Sequence, residues 1–466
     1  MLQKRTFILL FILSLVLVAC LNTTYKPVAE STPTQTPANP TTNNTLNIWW
    51  NKGYYPEEEA AFQQVVTEWE KKSPTKVNLT FITDANIIQQ TEKAVNTNNL
   101  PDIFFAYLTD INWSPGWAWE GKLVDVSDVV EPIKSLYTPN ALESVYFYNN
   151  VDKKRSYYAV PIEQQTIHIS YWRDLLKEIG TSEKDIPQDW DGFWNFWKQA
   201  QDKLRQKGQQ NIYAMGLPMS PGASDTYFMF EQFLEAYQVK LLDANGKLLL
   251  DSPNTKQGII KVLDWCAKLY KDGYVPPPAL SWQNTDNNVN FLNKSVIMTA
   301  NPSLSIPTSQ KQDRELYYNQ IGTMEFPNQP NGKPNRYMAA VKQAVIFASS
   351  QHQKDAKAFL SFLVEPKNLE TYIENSAGRW FPVMPQLMKA PFWNNPKDPH
   401  LPIALKQFTE RQTRPFYPVL NPAYVKVQQE NVWGEVLNRI LKDNLSSEQA
   451  ADEAIAKIKK IFSEWK

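Results

Sequence analysis

Residues 46–105 read LNIWWNKGYYPEEEAAFQQVVTEWEKKSPTKVNLTFITDANIIQQTEKAVNTNNLPDIFF. The first six predict a strand that ends in a turn. Pro56 opens a helix with Glu57, Glu58 and Glu59 in its first turn and Lys71 and Lys72 at its end, charges that complement the helix dipole. Phe62, Val65, Val66 and Trp69 recur on one face of it. Val77, Leu79 and Phe81 alternate as a second strand, and Ile87, Ile88, Thr91, Ala94 and Val95 make a second helical stripe. Pro101-Asp102 leads into a third strand at 103–105. This β-α-β-α-β order predicts an α/β fold on a largely parallel sheet with helices on both faces. Ligands of such sheets lie beyond the carboxyl ends of the strands, which directs attention to Trp49, Trp50 and Asn51 and to residues 106–119.

The α/β style continues along the chain. Strands are expected at 158–161, 166–171, 297–300 and 341–348. Helices are expected at 190–204, 227–237, 353–363 and 447–465. Cys266 sits in a helical stripe with Ile259, Val262, Leu263 and Leu269 and reads as a small buried hydrophobe. His168 reads as packing beside a strand rather than binding metal.

Composition narrows the function. The 466 residues carry 48 basic and 48 acidic side chains, a balance that argues against nucleic acid as a partner. Only three histidines occur, which opposes zinc, haem or triad chemistry, and no cofactor is expected. Tryptophan is abundant at 16 residues, so aromatic surfaces are available for a ligand.

The N-terminus gives an address. Lys4 and Arg5 precede an apolar run, 7–19, of about 20 Å as a helix, too short to span a bilayer core of about 30 Å. Residues 1–19 read as a signal peptide. Leu17-Val18-Ala19-Cys20 resembles the bacterial lipobox, which implies cleavage before Cys20 and a diacylglycerol on its sulfur. Residues 20–45, rich in Thr, Pro and Asn, read as a disordered tether. The expected location is the periplasm or cell surface, anchored to the membrane by lipid. With Cys20 lipidated, Cys266 has no disulfide partner.

Four local patterns carry a family resemblance. They are Leu100-Pro101-Asp102-Ile103 with Gly121-Lys122-Leu123-Val124-Asp125; Tyr158-Ala159-Val160-Pro161 with Tyr171-Trp172-Arg173-Asp174-Leu175; Pro187-Gln188-Asp189-Trp190; and Ala356-Lys357-Ala358-Phe359-Leu360-Ser361-Phe362-Leu363. In this order and spacing the body from about 46 to 466 resembles the extracellular solute-binding proteins of family 1, the sugar receptors of bacterial ABC importers. Ala159 stands where that family often has Gly, and Trp172 where it has Asn. The resemblance implies a two-lobe periplasmic-binding-protein fold, type II-like, each lobe a mostly parallel sheet flanked by helices. Chain crossings are expected near 160–166, 338–343 and 410–420. One lobe would hold 46–161 and 343–410, the other 162–342 and 411–466. The implied partners are a carbohydrate ligand and the transmembrane subunits of an ABC permease, the chain itself being a monomer.

A sugar needs flat aromatic surfaces and planar hydrogen-bonding groups. Loop positions offer Trp50, Asn51 and Tyr54; Tyr107, Asp110, Asn112, Trp113 and Trp117; Glu163, Gln164 and Gln165; Trp282, Gln283, Asn284 and Asp286; Asn301 and Ser303; and Arg379 and Trp380. Each has a structural alternative. Strand alternation sends one of Trp49 and Trp50 into the core. Trp113 and Trp117, four apart, are spaced to pack one helix face. Arg379 could form a surface ion pair. Two further ligand classes stay open, a phosphorylated polyol and a polyamine. A carbohydrate-active enzyme would need a carboxylate pair such as Asp102, Asp110 or Glu163. No G-x-S-x-G, H-E-x-x-H, Walker A or C-x-x-C pattern occurs, and a binding protein is expected rather than an enzyme.

Overall fold

The computed structural model describes residues 45–465. The signal peptide, Cys20 and nearly all of the tether lie outside the described residues. The strands in chain order are β1 (Thr45–Asn51), β2 (Lys76–Ile82), β3 (Ile103–Phe105), β4 (Tyr146–Asn149), β5 (Lys154–Tyr157), β6 (Val160–Gln165), β7 (His168–Trp172), β8 (Tyr213–Gly216), β9 (Val296–Asn301), β10 (Ile321–Met324), β11 (Tyr337–Met338), β12 (Ala340–Ile346), β13 (Phe381–Pro382) and β14 (Thr413–Arg414). Two main sheets result, β13-β6-β12-β3-β1-β2 and β10-β7-β9-β8.

The opening β-α-β-α-β unit forms as its pattern dictates. Pro56 begins the helix Pro56–Lys72, whose Phe62, Val65, Val66 and Trp69 are buried. Leu46, Ile48 and Trp50 alternate along β1 onto the same core. β1 pairs in parallel with both β2 and β3. The expectation of mostly parallel sheets fails beyond this unit. β12 runs antiparallel to β3 and β6, and β13 antiparallel to β6. In the smaller sheet only the β8–β9 pair is parallel. The physical reason is connectivity. β12 and β13 do not enter the larger sheet through a helical crossover from a neighbouring strand, so the rule that makes such connections parallel does not apply.

Each sheet has its own core. Leu46, Phe62, Ile103, Val341 and Phe359 belong to the core of the larger sheet. Ile169, Trp194, Phe233, Leu263 and Met298 belong to that of the smaller one. The chain passes between the sheets at 166–167, at 339, and between the helix Leu401–Thr409 and Phe416. These three segments lie side by side. Thr166 Oγ1 donates to the Met338 carbonyl at 3.0 Å, and β11 pairs in parallel with β14. Between Lys342 and Gln343 the β12–β6 pairing shifts register. Among the described residues no helix is long and apolar enough to cross a membrane. Cys266 is fully buried in the helix Pro253–Lys271.

Candidate functional site

A cavity of about 110 Å³ lies between the two halves, beyond the carboxyl ends of β1, β2 and β3. Its larger-sheet wall contains Tyr54, Asp84, Tyr107, Arg379 and Trp380. Its smaller-sheet wall contains Ser224, Asp225, Phe228, Asn284, Asn288, Asn301, Ser303 and Ser305. Gln165, the last residue of β6, closes it at the crossing segment.

Two aromatic rings and a guanidinium form one surface. Tyr107 and Trp380 have ring centroids 4.7 Å apart. The Arg379 guanidinium lies 4.4 Å from the Trp380 centroid, 4.8 Å from that of Tyr107 and 5.4 Å from that of Tyr54. Arg379 Nη1 donates to both Glu58 carboxylate oxygens, at 3.2 and 3.1 Å, and Tyr107 Oη donates to Glu58 Oε2 at 2.6 Å. Burial works against the Arg379 charge, but Glu58, Tyr107, Tyr55 and Asp84 together outweigh it and hold the guanidinium above its ordinary range. Arg379 is therefore a buried structural cation that fixes the aromatic surface, and not the surface ion pair that remained possible. Its Nε, the Trp380 Nε1, the Gln165 Oε1 and the Asn288 Oδ1 have no hydrogen-bond partner among the described residues.

The opposite wall is a hydrogen-bonded amide cluster. Asn287 Nδ2 donates to Asn301 Oδ1 at 3.1 Å and to Asp225 Oδ2 at 3.3 Å. Asn301 Nδ2 donates to the Ser303 carbonyl at 2.7 Å and to Ser305 Oγ at 3.0 Å. Burial pushes the Asp225 carboxyl up to about 7, against the hydrogen bond from Asn287.

Of the candidates drawn from the sequence, Tyr107, Asn301, Arg379 and Trp380 line the cavity, as do Tyr54, Gln165, Asn284 and Ser303. Others stand one layer behind it. Asn51 Nδ2 donates to Asp84 Oδ1 at 2.8 Å while its Oδ1 accepts the Tyr107 N–H at 3.1 Å, so it positions two wall residues. Asp110 pairs with Lys342 at 3.2 Å, both fully buried. Glu163 is opposite Lys342 in the β6–β12 register, and neither carboxyl oxygen has a hydrogen-bond partner among the described residues. Burial first, then Glu58, holds its carboxyl well above the usual range. Gln164 points to the other side of β6 and donates to the Pro382 carbonyl at 2.7 Å.

Three tryptophans are corrected. Trp50 is stacked between Phe62 at 3.6 Å and Phe105 at 4.0 Å, because β1 alternation faces it to the helix Pro56–Lys72. Trp113 stacks on Trp117 at 5.8 Å and meets Phe104 edge-on, packing the helical turns after β3. Trp282 is 3% exposed within the core of the smaller sheet, brought there by tertiary packing that local periodicity does not report. His168 is buried against Gln407, with burial pushing it down to about 4. Among the described residues no His, Cys, Asp and Glu cluster suits a metal ion.

Asp84, Ser224, Asp225, Phe228, Asn288 and Ser305 escaped the sequence reading. For Asp84 a signal existed: it lies two residues beyond the carboxyl end of β2, and Asn51 is the last residue of the neighbouring β1.

Known proteins share this design. A bacterial extracellular solute-binding protein family model matches residues 64–403. The multiple sugar-binding protein of Streptococcus mutans is 21% identical over 340 residues, covering 68% of this chain and 71% of the relative. An ABC transporter solute-binding protein from Thermotoga lettingae, solved with α-D-tagatose, is 21% identical with a TM-score of 0.73, over 90% of this chain and 99% of its own. A sugar transporter protein from Arthrobacter chlorophenolicus, solved with laminaribiose, is 15% identical with a TM-score of 0.69, over 91% and 100%. Two sheets joined by three adjacent crossings, a cavity walled by both and a family match over most of the chain lead to one conclusion: the chain belongs to the bacterial extracellular solute-binding proteins.

Proposed function

We propose that this chain captures a neutral carbohydrate between its two halves and delivers it to the transmembrane subunits of an ABC importer. The observation that carries the reading is the pairing of walls: the Tyr107–Trp380 surface on one side and the Asp225, Asn288 and Asn301 cluster on the other. An aromatic face suits the apolar side of a sugar ring, and carboxylate and amide groups suit its hydroxyls. The named sugar ligands of the fold relatives point the same way. Ligand contacts with both halves favour the closed arrangement by the ligand's differential affinity for it. The two lobes rotate about the segments at 166–167, 339 and 410–416. The lipobox ending at Cys20 tethers the receptor, as a monomer, to a membrane, in the periplasm or at the cell surface. Binding leaves the sugar chemically unchanged.

A phosphorylated polyol loses ground because the Arg379 guanidinium is engaged by Glu58. Asp84 and Asp225 beside three aromatic rings keep a polyamine as the second reading. Tryptophan fluorescence tests both, since Trp380 is in the wall. Titration with mono-, di- and trisaccharides should give a saturable shift at micromolar concentration with the sugar recovered intact. A shift from spermidine and none from any sugar replaces the ligand class.

A further inference from the structure

On the other side of β6 lies a second, larger cavity, of about 670 Å³. Gln164 borders it while the next residue, Gln165, borders the cleft, because successive residues of a strand point to opposite sides. All three connecting segments reach it: Gln164 near the first, Arg336 just before the second, Thr413 and Arg414 in the third.

Its polar groups are arranged with a gap. Asn140 is 7% exposed, and neither atom of its side-chain amide has a partner among the described residues. Glu143, one turn further along the helix Pro139–Glu143, stands exposed at the rim and has no ion pair among the described residues. Burial raises its carboxyl above the usual range, with Arg414 opposing. Lys240 also lines the cavity and has no ion pair among the described residues. The two guanidiniums there, Arg336 and Arg414, are both held on Glu235. Leu242, Leu249 and Tyr417 supply an apolar wall. Small-molecule sites have this make-up: several hundred Å³, mostly apolar, with a few convergent polar groups.

An exposed acid and an exposed base, neither in an ion pair among the described residues, together with an apolar wall, match a zwitterion with an apolar body. We propose that this cavity is a second ligand site, for a free apolar amino acid, with its ammonium on Asn140 and Glu143 and its carboxylate on Lys240. The chemistry of this site does not depend on which ligand class the cleft takes. Because the two cavities lie on opposite sides of the hinge, rotation that widens one narrows the other. An occupant that fits the present width holds the cleft narrow, and by reciprocity the cleft ligand tightens the occupant.

Isothermal titration calorimetry of the full chain tests this with L-phenylalanine, phenethylamine and phenylacetate. L-Phenylalanine should bind saturably, and the other two, each lacking one charged end, at least about ten-fold more weakly. Asn140→Leu keeps the volume and removes the amide; Lys240→Met removes the base. Each should weaken L-phenylalanine by about ten-fold or more with the unfolding midpoint retained. Two variants at opposite ends keep the test alive if one misfolds. No heat with L-phenylalanine or L-leucine, equal binding of all three probes, or binding indifferent to both substitutions overturns the proposal.

Discussion

Lys342→Met probes the ion pair behind the cleft. The Lys342 side chain has 0% exposure and that of Asp110 4%, with Nζ 3.2 Å from Oδ1. Lys342 also donates to the Tyr107 carbonyl. At this separation and an effective dielectric of about 20, the Coulomb attraction is about 5 kcal/mol. Methionine keeps most of the stem and strands the carboxylate. Breaking a buried pair from one side costs about 3–5 kcal/mol, most of it from the charge left behind. Burial already holds the Asp110 carboxyl above the usual range, with Lys342 opposing. Without Lys342 the rise is larger. A folded-state carboxyl raised above its unfolded value gains its proton first as pH falls, so the deficit is complete at high pH. It shrinks as pH drops toward the unfolded value of about 4. Urea unfolding at about pH 7.5 and about pH 5 reads both quantities. Adding Asp110→Asn to the variant should recover most of the loss, since the charge is then gone. A loss below about 1 kcal/mol, or one that does not diminish in acid, refutes the reasoning.

Other substitutions separate the site from its support. Trp380→Ala should weaken sugar binding by roughly ten- to a hundred-fold, measured by calorimetry, because it removes half of the aromatic surface. Trp50→Ala should lower stability by about 3–5 kcal/mol in urea, because it empties the space between Phe62 and Phe105. Asp225, pushed up to about 7, takes a proton in the folded chain that the unfolded chain takes near ~4, so unliganded stability should gain as pH falls between these values. Sugar affinity should fall over the same range, and Asp225→Asn should flatten that profile in fluorescence titrations. Cys266, buried and with its thiol pushed up by that burial, should react with Ellman's reagent only after denaturation.

Much of the larger sheet is legible from sequence because its first unit is local. Pro56, the Glu57–Glu59 charges and the Phe62 to Trp69 stripe all act within one helix. The rule that ligands lie beyond strand ends reaches Tyr54 and Tyr107 for the same reason. It misassigns Trp50, whose facing depends on strand phase, and Trp282, whose burial comes from helices distant in sequence. The smaller-sheet wall stays hidden because Ser224, Asn288 and Ser305 converge only after folding, with no pattern of their own. Arg379 looks like a loop cation until Glu58, 321 residues earlier, is placed beside it.

The position of β12 has a consequence for synthesis. It is hydrogen-bonded on both edges, between β6 and β3, yet it is translated after every strand of the smaller sheet. The first 165 residues therefore lack the strand that joins β6 to β3 until residue 346 is available. Contacts this remote in sequence form slowly, because the intervening loop must close before they stabilise anything. The half built on the larger sheet is kept from locking into shape until residue 346 is available, whereas the half built on the smaller sheet has its four strands by Met324 and awaits only the helices from Phe416 onward.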